Sequence, residues 1–72
     1  MRILGIDPGY AIMGWAVLDM KGNKFQAVDY GAITTDAGTE MPIRLKHLYA
    51  ELTSIIEKYK PEDAAIEELF FT

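Results

Sequence analysis

The apolar residues in the first half of the chain fall into three short runs with the length and composition of β-strands. Residues 2–7 are mostly apolar on both alternating faces, and Pro8 and Gly9 then force the chain to turn. A second run covers residues 11–19. A third covers residues 24–34 and contains several β-branched and aromatic side chains. Because the segments between these runs are short, we predict an antiparallel meander of three strands.

A helical period replaces the strand pattern in the second half of the chain. Pro42 is suited to a first helical turn, with Thr39 or Glu40 near the N-cap, and Pro61 stops the helix. Residues 64–68 then form a fourth short strand. The apolar residues of the predicted helix recur at spacings of three and four and make one stripe, which consists of Leu45, Leu48, Tyr49, Leu52, Ile55, Ile56 and Tyr59.

The order of these elements predicts the topology of the sheet. A helix after the third strand returns the chain, so that the fourth strand runs parallel to the first. Since such crossovers are right-handed, the fourth strand pairs with the free edge of the first. We therefore predict an α/β fold, with a mixed sheet of order 3-2-1-4 and one crossover helix. Strands one, two and four are apolar on both faces, and one helix covers only one face. We expect the chain to dimerise, exchange elements or aggregate through the other.

Composition restricts the class of protein. The 72 residues allow one small domain, and 50% hydrophobic with 25% charged residues is typical of a soluble globular protein. The chain has no cysteine for a disulfide and no apolar run long enough to span a bilayer, so we expect a cytoplasmic protein without a membrane segment. A net charge of −4 gives no electrostatic support for nucleic-acid binding by these residues alone.

The candidate chemistry lies where two predicted strands end. Asp7 ends the first strand and Glu67 ends the fourth, so a parallel pairing brings both carboxylates to one edge of the sheet, while Glu68 points to the opposite face. Two adjacent carboxylates repel each other unless a cation lies between them, and a hard divalent ion fits such a pair. A simpler interpretation stays open, in which Asp7 only nucleates a turn and Glu67 is a solvated edge residue.

Four segments of the chain form one joint pattern. They are Ile3-Leu4-Gly5-Ile6-Asp7-Pro8-Gly9, Gly14-Trp15-Ala16-Val17, Arg44-Leu45 with Tyr49, and Ala65-Ile66-Glu67-Glu68-Leu69-Phe70. Together they resemble the RuvC crossover junction endodeoxyribonucleases, which are bacterial Holliday junction resolvases with an RNase H-like fold. The resemblance extends along the whole chain and covers about the N-terminal half of the family's domain, so residues 1–72 would be part of a single nuclease domain with no second domain.

The resemblance implies a Mg²⁺-dependent homodimer, with Mn²⁺ as a possible substitute, that makes paired nicks in four-way junction DNA. It also implies a possible complex with a branch-migration helicase. Asp7 matches the family's first catalytic, metal-binding carboxylate and Glu67 the second. Phe70 matches an aromatic residue that packs against junction bases, and Phe71 is the alternative for that role. The family's two further aspartates and its basic residues follow later in the domain, so we expect residues 1–72 alone to be inactive.

Two other functions remain possible. An actin-like or sugar-kinase-like ATPase also ends its first strand in an Asp-Gly phosphate loop, but it would have a second glycine-rich loop and no paired Glu67-Glu68 strand. A non-catalytic RNase H-like module used for assembly is the other alternative. Of the single residues, His47 is predicted to be a solvated helix residue, and Trp15 and Tyr30 are predicted to pack in the core.

Overall fold

The computed structural model describes residues 1–9 and 11–66. Within them the chain forms four strands and one helix in the predicted sequence of elements. The sheet has the predicted order β3-β2-β1-β4. The strands are β1 (Arg2–Asp7), β2 (Ile12–Lys21), β3 (Lys24–Thr34) and β4 (Asp63–Ile66), and the helix is α1 (Met41–Tyr59).

The strand pairings place β1 between β2 and β4, so that its carboxyl end, with Asp7, lies where the strands of the sheet terminate. β1 pairs antiparallel with β2, so that Asp7 lies opposite Gly14. On its other side β1 pairs parallel with β4, and the last pair in the described part of that ladder is Ile6 with Ile66. β2 and β3 pair antiparallel along their whole length. The predicted mixed sheet is therefore confirmed.

The core lies between the sheet and α1. Leu4, Val17, Ile33 and Leu48 are the buried hydrophobic residues of the part of the chain described here, one from each of β1, β2, β3 and α1. The first three point to the same side of the sheet, because the registers pair Leu4 with Val17, and Ile33 lies on the matching face of β3. The helix thus covers one face of the sheet only.

Both ends of α1 have the expected boundary residues. Glu40 at the N-cap is extended, and a proline occupies the first turn, where its missing N–H costs little. Lys60 has the left-handed conformation at the C-cap and donates its backbone N–H to the Ile56 carbonyl at 2.8 Å. Pro61 follows and prevents the helix from continuing.

Arg2 ties the C-terminal end of α1 to the sheet. Its guanidinium binds both carboxylate oxygens of Asp19, with Nε–Oδ1 at 2.8 Å and Nη2–Oδ2 at 3.0 Å, and Nη1 donates to the Tyr59 carbonyl at 3.1 Å. The hydrogen bonds from Arg2 are the main reason that the pKa of Asp19 is lowered. This cluster lies at the opposite end of β1 from Asp7, so it stabilises the fold away from the candidate site.

The structure decides between two interpretations of the glycine within β3. A glycine inside a strand, such as Gly31, is typical of either a bulge or a close approach of another group. The irregularity lies instead between Val17 and Leu18, where Val28 is the extra residue of β3. Gly31 is the site of a close approach, because a Cβ built on it would lie 3.0 Å from the Trp15 ring.

The predicted core position of one aromatic residue is wrong. Tyr30 pairs with Ala16 on the face of the sheet that α1 does not cover, and its side chain is 76% exposed. Trp15 is half-buried on the helix side, as predicted, with its ring centre 6.2 Å from that of Tyr59. His47 is exposed, as predicted. The apolar stripe of α1 is only partly buried, because Leu45, Tyr49 and Ile56 are among the exposed hydrophobic residues.

The face of the sheet opposite α1 is apolar and open. Ile3, Leu18 and Phe25 point to this side, and Phe25 is 64% exposed. Nothing in the part of the chain that the structure describes covers it, as the sequence predicted. Within the same residues no helix is long and apolar enough to cross a membrane.

Candidate active site

Asp7 is the sequence-predicted site residue that the structure describes. It is the last residue of β1, and its side chain is exposed at the sheet edge. Gly14 lies opposite, and a Cβ built on it would make an ordinary contact with Asp7 Cβ at 3.7 Å. Among residues 1–9 and 11–66, no side-chain or backbone group hydrogen-bonds to the Asp7 carboxylate or forms an ion pair with it. As far as these residues are concerned, both of its oxygens are available to a ligand.

The turn that follows Asp7 has a specific steric requirement. Gly9 lies so close to the start of β2 that a Cβ built on it would overlap the Ile12 carbonyl oxygen. The obstacle is backbone, which belongs to a strand paired on both sides and cannot move away cheaply. A residue with a side chain at position 9 would therefore have to displace the turn. Gly9 fixes the path of the chain directly after the carboxylate.

The far end of the same turn is attached to β3 and α1. Ala11 accepts a hydrogen bond at 2.9 Å from the backbone N–H of Thr35, the residue that follows β3. The Thr35 hydroxyl oxygen in turn accepts a hydrogen bond from Arg44 Nε at 3.0 Å. Both Thr35 and Arg44 are half-buried. The first turns of the helix are thus linked through one residue to the loop that follows Asp7.

Three sequence-predicted site residues, Glu67, Phe70 and Phe71, lie outside the described residues. The described ladder ends where Ile6 pairs with Ile66. In the sequence, Asp7 follows Ile6 and Glu67 follows Ile66. Within the residues the structure describes, no group of three His, Asp or Glu side chains could hold a metal ion together. A metal site at Asp7 would therefore need ligands from outside these residues.

Asp7 borders a concave surface on the open face of the sheet. This concavity has a volume of about 550 Å³, and its floor near the carboxylate consists of small residues, since Gly5, Gly14, Ala16 and Ala65 line it. Larger apolar side chains, Ile3, Leu18 and Phe25, line the end remote from Asp7. A bulky group can therefore reach Asp7 from this side without a steric obstacle from its strand neighbours.

Sequence reasoning missed two residues of this region. Thr35 lies in the segment between β3 and α1, which carries no signal of its own, and the sequence singles out Arg44 only within the segments that resemble the RuvC family. No sequence signal connects them, because they are nine positions apart and lie on different elements. Their contact follows from the way α1 packs back over the sheet, which only the structure shows.

The chain is similar to curated proteins of the RuvC family. The family model for crossover junction endodeoxyribonuclease RuvC matches residues 3–72. The RuvC proteins of Alkaliphilus oremlandii and Caldanaerobacter subterraneus are 55% and 56% identical over 71 residues, which is 99% of this chain and 43% of each relative. The chain therefore spans less than half the length of these relatives.

Solved structures agree on the fold. Thermus thermophilus RuvC in complex with a Holliday junction substrate matches with a TM-score of 0.89 and 26% identity, over 100% of this chain and 46% of that one. The Aquifex aeolicus PPX-GPPA enzyme matches with a TM-score of 0.72 at 19% identity, over 94% of this chain and 26% of that one, which shows a shared fold alone. The predicted RNase H-like fold is confirmed, and the comparisons favour neither the ATPase nor the assembly module. The chain belongs to the RuvC family of crossover junction endodeoxyribonucleases.

Proposed function

We propose that the protein containing this chain is a structure-selective endonuclease that resolves four-way DNA junctions by paired, divalent-metal-dependent nicks. The observation that carries the proposal is the Asp7 carboxylate, which has no partner among the described residues and lies at the sheet edge beside the parallel strand β4. A similar protein from Thermus thermophilus is seen in complex with a Holliday junction substrate. That similarity supports the same substrate class here.

Asp7 and Glu67 are the residues of this chain that would hold the metal. The parallel ladder runs up to the Ile6–Ile66 pair, and each carboxylate is the next residue of its segment. Carboxylate oxygens are the ligands that Mg²⁺ prefers, and Mn²⁺ is bound by the same groups. When bound, such an ion polarises a phosphodiester and lowers the pKa of a coordinated water. The role of the chain is to hold the Asp7 oxygens at a fixed place on the sheet edge.

The same proposal assigns roles to residues and partners beyond Asp7. Phe70, or Phe71 in its place, would stack on junction bases, which are partly unpaired where the four arms meet. Because residues 1–72 carry a net charge of −4, the basic groups that contact DNA would come from the rest of the protein, as would two more carboxylates. We further propose a cytoplasmic homodimer that works with a branch-migration helicase. Residues 1–72 alone would not cut DNA.

The test requires the rest of the protein. Residues 1–72 can be extended with the native downstream sequence, or with that of the Caldanaerobacter relative, which is 56% identical over the shared part. In this extended chain, Asp7→Asn keeps the size of the side chain but removes its charge. We expect Mg²⁺-dependent nicking of a four-way junction to fall by at least about 10³-fold, since a metal ligand is lost.

The matched control is Glu57→Gln, which makes the same chemical change at an exposed position of α1. This variant should nick at the parent rate. If Asp7→Asn also nicks at the parent rate, Asp7 is not a catalytic ligand. If the unaltered extended chain cuts linear duplex DNA as readily as four-way junctions, the proposed selectivity is wrong.

A further inference from the structure

Asp7, Gly9 and Ala11 are each held in place, and the contact at Ala11 leads on to a side chain of α1. Asp7 itself is paired within the sheet, Gly9 abuts the Ile12 carbonyl, and Ala11 accepts a hydrogen bond from the Thr35 backbone at 2.9 Å. Thr35 directly follows β3, and the hydrogen bond from its backbone N–H to Ala11 extends the ladder by one pair beyond Ile12–Thr34. Its side chain adds a further contact, with α1.

Arg44 is the helical partner of Thr35. Arg44 Nε donates to the Thr35 hydroxyl oxygen at 3.0 Å, and its own backbone N–H is held by the Glu40 carbonyl at 3.1 Å in the first turn of α1. Among residues 1–9 and 11–66, the Arg44 guanidinium forms no ion pair. A carboxylate therefore does not compete for it, and its described side-chain contact is the one with Thr35.

From this chain of contacts we infer that Arg44 is a positioning residue for Asp7. Arg44 bonds to Thr35, Thr35 bonds to Ala11, and Ala11 directly precedes β2, which pairs with β1 up to Asp7. The inference rests on the proposed function, because it assigns Arg44 to the metal site that includes Asp7. Groups that orient a metal ligand without touching the metal change affinity or activity about 10- to 100-fold when they are removed.

Arg44 should control the Mg²⁺ requirement of nicking and not the KM for junction DNA. A misplaced Asp7 weakens the metal site, so the Mg²⁺ concentration for half-maximal nicking should rise. Binding of junction DNA should change little, because Arg44 does not contact DNA in this assignment. A direct phosphate contact by Arg44 would give the opposite result, with a raised KM for the junction and an unchanged metal requirement.

The experiment compares Arg44→Met and Arg44→Lys in the extended chain. For Arg44→Met we expect the half-maximal Mg²⁺ concentration to rise about tenfold, with the KM for a four-way junction within about twofold of the parent. Lys keeps a donor that can bond to the Thr35 hydroxyl, so Arg44→Lys should recover most of the loss. Thr35→Val, which removes the acceptor, should resemble Arg44→Met, and the double variant should be no worse than either single one.

Two control variants separate positioning from general destabilisation. Lys46→Met removes a positive charge from an exposed position of α1 two residues away and should leave the metal requirement unchanged. Tyr59→Phe weakens the packing of α1 at the end remote from Asp7 and should also leave it unchanged. If Tyr59→Phe raises the half-maximal Mg²⁺ concentration as much as Arg44→Met does, the effect of Arg44 is only structural and the inference is wrong.

A second measurement does not depend on nuclease activity. The Thr35 amide donates to the Ala11 carbonyl, so its hydrogen exchange reports directly on the loop. We expect Arg44→Met to speed exchange at Thr35 by up to about tenfold, the factor expected for loss of one hydrogen bond, and Lys46→Met to leave it unchanged. Unchanged exchange in Arg44→Met would overturn the inference even if nicking is altered. If the unaltered chain does not nick, the proposed function fails, and the exchange result still decides whether Arg44 holds the loop.

Discussion

At the residue scale, the candidate site depends on the Asp7 carboxylate and on the glycines beside it, which have no side chains. Gly14 opposite it and Gly9 after it lack side chains at the two places where a side chain would meet the strand end or the β2 backbone. The sequence identified Asp7 from its place before a Pro8–Gly9 turn, and the structure confirms that place. The steric role of Gly9 is visible only in the structure, because the obstacle is the backbone of Ile12, three positions later.

The role of Gly9 leads to a prediction about Gly9→Ala. The added methyl group would overlap the Ile12 carbonyl, so the turn must shift, and overpacking of this kind destabilises a fold by roughly 1–3 kcal/mol. We expect this loss in urea unfolding of the extended chain, together with reduced nicking. The control is Gly38→Ala, where the new Cβ would lie 3.5 Å from Asp36 Oδ1, an ordinary contact. Equal stability of the two variants would contradict the steric role of Gly9.

At the element scale, the sequence predicted the existence and order of all five elements. It did not predict which residues of β3 face α1 and which face the open side of the sheet. Strand alternation alone places Phe25 on the same side as Ile33, toward α1. The bulge at Val28 reverses the alternation, so Phe25 pairs with Met20 and faces the open side. A bulge of this kind leaves no clear mark in composition. The sequence pointed to Gly31 instead, because glycine is the residue that commonly signals one.

The attachment of α1 to β3 is a second feature that the helical period does not predict. The Tyr59 hydroxyl donates to Asp29 Oδ2, and this hydrogen bond is the main reason that the pKa of Asp29 is lowered. A backbone N–H from Tyr30 adds to the effect. The helix is therefore fastened to the sheet by Tyr59 near its C-terminus and by Arg44 near its N-terminus.

The Tyr59–Asp29 pair predicts how stability changes with pH. The pKa of Asp29 is lower in the folded state than in the unfolded state, where it is about 3.9. Such a carboxylate stabilises the fold at pH values above its unfolded pKa. This contribution is lost as the pH falls through its folded pKa. Tyr59→Phe should therefore reduce the free energy of unfolding at pH 7 and lessen its decline below about pH 4. Urea unfolding at several pH values measures both effects.

The control for this prediction is Tyr49→Phe on the same helix. Tyr49 is 74% exposed, and its hydroxyl makes no hydrogen bond within the described residues. This variant should keep the stability of the parent and its acid dependence. If Tyr59→Phe has the same acid dependence as Tyr49→Phe, the hydrogen bond does not contribute to folding.

At the scale of the whole molecule, the described structure is thin for its length. The radius of gyration of its Cα atoms is 13.3 Å, and its shortest dimension is 15 Å, the thickness of one helix on one sheet. A compact domain of 72 residues has a radius of gyration of about 11 Å. The sequence predicted this arrangement correctly, because strands that are apolar on both faces require two covering layers and the pattern contains one helix.

The open face predicts the behaviour of residues 1–72 expressed alone. Phe25 and Tyr30 are both more than half exposed on that face, and apolar surface of this kind is normally buried. We therefore expect the 72-residue chain to dimerise, exchange elements or aggregate, with a mass by multi-angle light scattering above that of the 8.1 kDa monomer. Phe25→Ser should lower the association, whereas the similar change Tyr49→Ser on α1 should not. A clean monomer at 100 μM would show that this face tolerates water and would contradict the prediction.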